Sequence, residues 1–185
     1  MTSLRSSTVR AALFAAGLAA LAILWRLWPH APNVAPVAAL ALFVSWATGR
    51  AWLGAAMAGA VMLVSDLILG LYDLRLQVVV WGALMLPALY AKFLPGGAGR
   101  AFVPALGVGV LGALTFFLLT NGAVWAFGEA YAPGLDGLLA SLVAGLPFLR
   151  GTLTGDLLWT AALFGGAALT QLAGRARATR APAHL

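Results

Sequence analysis

The chain has 185 residues, 63% of them hydrophobic and 9% charged, with a net charge of +6 and a mean hydropathy of +0.98. A soluble domain carries about a quarter charged residues, so this composition excludes one and indicates a single compact integral membrane domain. With no cysteine and only two histidines, His30 and His184, disulfides, thiol chemistry and a histidine metal cluster are excluded as well.

The apolar runs are long and lack period-two alternation, so the predicted fold is all-α, a six-helix transmembrane bundle rather than a barrel. Residues 1–10 carry Arg5 and Arg10 and form the expected N-terminal tail. The apolar run over residues 11–28 follows. A charged start before such a run also fits a secretory signal peptide. The length of this run, with Arg26, Trp25 and Trp28 near its end, suits a membrane helix ending at the interface. Ala12, Ala16 and Ala20 recur every fourth residue and give a smooth face that a partner helix can approach; alanine as simple helix filler accounts for the same spacing.

Pro29, Pro32 and Pro36 impose a rigid loop that contains Asn33. The sequence then predicts helix 2 over residues 37–48, short for a span, and helix 3 over 51–71, carrying Asp66. Helix 4 follows over 76–94 with a kink at Pro87, and helix 5 over 101–127 with Asn121. Residues 137–149 are apolar but too short to span, which predicts a re-entrant or interfacial helix before the last span. Helix 6 is expected over 151–173, with Asp156 near its start, and the arginine-rich residues 174–185 form a basic tail expected to be disordered. The membrane domain is thus residues 11–173.

Orientation follows from the basic residues. With six spans and the N-terminus inside, eight lysines and arginines fall inside and three, Arg26, Arg75 and Arg150, outside. Both termini are therefore expected on the cytoplasmic side of the inner membrane. In this arrangement Asp66, Asn121 and Asp156 each lie five or six residues from the outer boundary. That is about 8–9 Å at 1.5 Å per residue, one shared depth, with Asn33 above. Ionisable groups in hydrocarbon face a partner or a cavity. Phe117, Asn121 and Trp125 share a face at helical spacing, as do Thr152, Asp156, Trp159 and Thr160. The expected ligand site is Asn33, Asp66, Phe117, Asn121, Trp125, Asp156 and Trp159. Structural alternatives stand beside it. Asp66 can pair with Arg26, Arg75 or Arg150, Asn121 can be interhelical glue, and Trp125 and Trp159 can be interfacial belt residues.

Several segments taken together carry a resemblance. They are Asn33-Val34-Ala35-Pro36-Val37, Ser65-Asp66-Leu67-Ile68-Leu69-Gly70, Phe116-Phe117-Leu118-Leu119-Thr120-Asn121 with Trp125, Pro147-Phe148 and Gly155-Asp156-Leu157. Over residues 29–167 the chain resembles an uncharacterised family of small prokaryotic membrane proteins. That family is similar to the substrate-binding S components of energy-coupling factor (ECF) vitamin transporters. The resemblance implies six helices, cytoplasmic termini, an outward-facing pocket and an alanine-rich first helix that meets a membrane coupling subunit. Here Ala12, Ala16 and Ala20 match that last role.

The function expected is small-molecule binding and uptake, with partner ATPases, because the chain has no Gly-x-x-x-x-Gly-Lys-Ser/Thr phosphate loop of its own. No resident cofactor, metal or nucleic-acid partner is expected. An intramembrane enzyme with Asp66 and Asp156 as an acid–base pair is a second possibility. A presenilin-like protease wants Gly-x-Gly-Asp, and here Leu153 replaces the first glycine. The third is a non-catalytic assembly subunit of a larger membrane complex.

Overall fold

The computed structural model describes residues 2–180, all of its regular structure is helical, and no strand occurs among them. We number six helices: α1 (Thr2–Leu27), α2 (Val37–Thr48), α3 (Ala51–Leu69), α4 (Leu74–Phe93), α5 (Ala98–Phe127) and α6 (Leu135–Arg180). Four segments, Ala51–Leu69, Leu74–Phe93, Ala98–Phe127 and Leu135–Ala178, are long and apolar enough to cross a membrane, and Ala12–Leu27 and Val37–Thr48 are shorter apolar helices. Large apolar side chains such as Leu67, Ile68, Leu118 and Leu158 are exposed on the outer surface, as hydrocarbon contact requires.

The centre of the bundle is α2, buried continuously from Val37 to Ser45. A helix apolar on every side is stable only when it is surrounded. It ends at Gly49, whose φ of 66° is the left-handed cap that glycine adopts without cost. Helix α3 returns against it. A Cβ at Gly54 would lie 2.2 Å from the Ala41 carbonyl oxygen, so only glycine allows this approach. Helix α4 starts at Asp73, which accepts hydrogen bonds from the Arg75 and Leu76 amides at 2.9 and 3.2 Å. As expected, it is interrupted at Pro87: regular helix runs Leu74–Met85, then Pro87–Tyr90, then a 3-10 turn over Ala91–Phe93.

The C-terminal half differs from expectation. Residues 137–149 are not a separate re-entrant or interfacial helix. They are the first turns of α6, which continues through Pro147 for 46 residues. Helices α5 and α6 form one antiparallel hairpin. Ser141 Oγ donates to the Asn121 carbonyl at 2.9 Å, and the Gly99 amide to Gln171 Oε1 at 3.4 Å. Between these ends Gly145 faces the Asn121 amide, Gly109 faces Thr160, and Gly165 faces Phe102. The buried stripe Ser141, Gly145, Thr152, Asp156, Thr160 and Phe164 runs across Pro147 at helical spacing. Packing along that stripe outweighs the local cost of the proline. Both expected tails are also helical where described: residues 2–10 extend α1 and residues 174–180 extend α6, whereas residues 181–185 lie outside the described part.

The bundle has two unlike ends. At one, Trp46 Nε1 donates to the Pro95 carbonyl at 3.0 Å, and Arg50, Lys92, Arg100, Arg175 and Arg177 gather near the short loops and the end of α6. The other end holds the proline loop, the turn over residues 70–73 and the α5–α6 loop, with Asp73, Glu129 and, in the first turn of α6, Asp136.

Candidate functional site

A cavity of about 380 Å³ opens at the acidic end, between the close of α1, the proline loop and helices α3 to α6. Its wall is mostly aliphatic, with Met62, Leu76, Val80 and Leu84 along α3 and α4. Among the described residues six polar side chains reach it: Arg26, Asn33, Tyr72, Thr120, Thr152 and Asp156. An apolar chamber with a few placed polar groups is the usual form of a small-molecule site.

The proline loop forms the roof. Asn33 takes a left-handed conformation with φ 62°, which asparagine tolerates better than most residues. Trp25 Nε1 donates to the Val34 carbonyl at 2.5 Å and ties the loop to α1. Gly151 and Gly155 of α6 leave room beneath it; a Cβ at either would meet the loop backbone, at 2.3 Å from the Pro32 oxygen and 2.8 Å from the Val34 Cα.

Asp156 is 5% exposed and lines this cavity. Among the described residues its carboxylate has no hydrogen-bond or ion-pair partner. Below it a void of about 10 Å³ is shared with Thr160, whose Oγ1 is buried and without a hydrogen-bond partner. Asp66 is equally buried, at 3%, but does not line the cavity. It forms an ion pair with Arg26, and its second oxygen accepts from Trp81 Nε1 at 2.8 Å. Arg26 Nε donates to Ser65 Oγ at 2.7 Å, and that hydroxyl donates to the Val61 carbonyl at 2.7 Å. Arg26 thus stands between Asp66 and the cavity.

Phe117 and Asn121 line an adjoining compartment of about 370 Å³ that shares Asn33, Phe116, Thr120, Val124 and Thr152 with the first. Asn121 Nδ2 donates back to the Phe117 carbonyl at 2.8 Å. The two tryptophans lie outside both linings. Trp125 Nε1 donates to the Ala132 carbonyl at 3.2 Å and braces the α5–α6 loop, and Trp159 packs edge-on against Trp25 with ring centroids 4.9 Å apart.

The expected common depth does not hold. Gly109, which packs on the Asp156–Thr160 turn, precedes Asn121 by twelve residues, or about 18 Å of helix. Asp156 is therefore far deeper than Asn121, because α6 begins at Leu135 and not near Gly151. Arg26, Tyr72 and Thr120 are site residues that the sequence did not single out as such. Burial pushes the Tyr72 phenol up, with Asp66 adding to the shift and Arg26 opposing it, so it stays a neutral hydrogen-bond donor at ordinary pH. The signal for Arg26 was its isolation at the end of an apolar helix. Nothing local marks Tyr72 or Thr120.

Comparison with curated proteins and with solved structures finds no match for this chain. A family model does match it, over residues 6–179, and by that match the chain belongs to a family of unknown function, DUF6580.

Proposed function

We propose that this protein is an integral membrane small-molecule-binding subunit, serving uptake of a vitamin-like or other small solute through a pocket open to the outer face. The observation that carries the proposal is Asp156, a buried carboxylate without a partner among the described residues, set in the wall of a 380 Å³ cavity. An ionisable side chain kept at membrane depth without a counter-charge marks a ligand or ion path before it marks packing. Six spans in the bacterial inner membrane, with both termini cytoplasmic, are supported by the basic and acidic ends described above. Cysteines at Ala178 and Glu129 test that orientation: impermeant thiol reagents added to intact cells should label Glu129→Cys and spare Ala178→Cys.

The resemblance to ECF S components supports a partner as well, a membrane coupling subunit with its ATPases. Ala12, Ala16 and Ala20 are exposed along α1, leaving a smooth face for such a helix contact. No catalysis is assigned, since Asp66 is engaged by Arg26 and Trp81 and does not join Asp156 as an acid–base pair. The same exposed α1 face favours, as a second possibility, a non-catalytic assembly subunit. Native mass spectrometry of the detergent-purified protein separates the two. A binding subunit should carry a co-purified small molecule. An assembly subunit should carry none and should co-purify with another membrane protein.

A further inference from the structure

We infer that the molecule this cavity takes is an organic monocation whose N–H groups meet Asp156: a protonated amine or amidine on an apolar body. This rests on the ligand-binding role proposed above and adds the charge and chemistry of the ligand. The first support is a charge count around the cavity. Among the described residues Arg26 is the only cation in its wall, and Asp66 already neutralises it from behind. Among the described residues Asp156 is the only acidic group in the wall and has no counter-charge there, so a bound cation is what would hold it ionised.

The second support is geometric. The carboxylate is acceptor-only, and no donor among the described residues reaches it. Beside it, the Thr160 hydroxyl is also unsatisfied. A ligand with N–H donors satisfies the carboxylate and gains a charge-assisted bond, the stronger kind. A neutral or anionic ligand supplies no counter-charge, so the carboxyl must stay protonated beside it and the charge-assisted bond is forgone. A metal ion is a poor alternative. Divalent cations need several oxygen or nitrogen ligands, and no group of three His, Cys, Asp or Glu side chains suited to one gathers among the described residues. The remaining wall, with Met62, Leu76, Val80, Leu84 and Phe116, is apolar and suits a hydrocarbon or aromatic body.

Benzamidinium, benzamide and benzoate share size and shape and differ chiefly in charge, which makes them the probes. The full chain in lipid nanodiscs is titrated with each by calorimetry. Benzamidinium should bind at least ~10-fold more tightly than benzamide, and benzoate most weakly. Asp156→Asn should lower benzamidinium affinity by about 30-fold or more and erase the ranking, while its unfolding temperature shows that it remains folded. If that variant does not fold, the ranking on the unchanged protein decides alone. Benzamide or benzoate binding as tightly as benzamidinium, or no benzamidinium binding at all, overturns the inference. A neutral or anionic molecule found co-purified overturns the charge assignment and leaves the binding role standing. Absence of both a co-purified molecule and any probe binding removes the role itself.

Discussion

Asp66 and Asp156 each sit in an apolar helix, each is nearly excluded from solvent, and each is preceded closely by small or hydroxylated residues. Around Asp66 the structure supplies an arginine, an indole N–H and a serine that relays to the backbone. Around Asp156 it supplies space. The first is what a bundle needs to hold an ionised group as structure, since a buried charge is tolerable only when paired and hydrogen-bonded. The second lowers stability unless something else binds there. Burial alone therefore does not separate a structural carboxylate from a functional one. The inventory of partners does.

The largest expected effect falls on the paired aspartate. Arg26→Met leaves the buried Asp66 charge uncompensated and should cost about 3–5 kcal/mol, and Asp66→Asn, which strands the half-buried Arg26, somewhat less. Thermal unfolding in detergent should show a large drop for each single variant and a partial recovery in Arg26→Met/Asp66→Leu, where both charges go. If Asp66→Asn unfolds no earlier than the unchanged protein, the pair is not structural and the contrast collapses.

Asp156→Asn should do the reverse. Replacing an unpaired buried carboxyl by an amide of the same shape should leave the unliganded unfolding temperature unchanged or higher, with binding lost. A fall in stability as large as that of Asp66→Asn would mean that Asp156 is also a packing residue.

A smaller effect is expected at the roof. In Gly151→Ala the new methyl would meet the Pro32 carbonyl, forcing the loop outward at about 1–3 kcal/mol. Hydrogen exchange should rise in the proline loop, above all at the Val34 amide that donates to Ala31, while the Asp66 cluster keeps its protection. Equal protection of the loop in both proteins would show that it does not rest on α6 as described.

The smallest effect lies at an exposed carboxylate, in contrast to both buried ones. The Arg75 side chain, and then the amides at the start of α4, hold the Asp73 carboxyl below its ordinary value of 3.8. A lowered folded-state value contributes stability at pH above the unfolded value, lost as pH falls through the folded one. The difference in unfolding temperature between the unchanged protein and Asp73→Ala should therefore be small near neutrality, begin to shrink near about pH 4 and disappear only below the lowered folded-state value. A gap that persists into acid would mean that the cap acts through something other than charge.

Much of the architecture was legible from the chain alone. Long apolar runs, prolines and glycines mark where helices stop, because backbone groups in hydrocarbon must bond within a helix and proline cannot donate. That logic located helices 2 to 5 to within a few residues, together with the kink at Pro87, and the end but not the start of the first helix, which begins at Thr2 and not near residue 11. It misplaced the last helix, since Pro147 and the polar cluster Arg150-Gly151-Thr152 look like a boundary locally. The continuous buried stripe from Ser141 to Phe164 was the contrary signal, and its weight comes from contact with α5, which lies in no local window.

By itself the sequence determined that this is a helical chain with apolar helices long enough to cross a membrane, and that two carboxylates and an amide are carried into them. Composition and helical period are sufficient for that, being properties of single segments. Only the tertiary structure decided that Arg26 reaches Asp66, that nothing among the described residues reaches Asp156, and that Asp156 lies about 18 Å along the hairpin from Asn121. Those outcomes depend on which helices are neighbours and in what register. Register between helices is set by close approach at Gly109, Gly145 and Gly165 and by the packing around them, not by the preferences of any one helix.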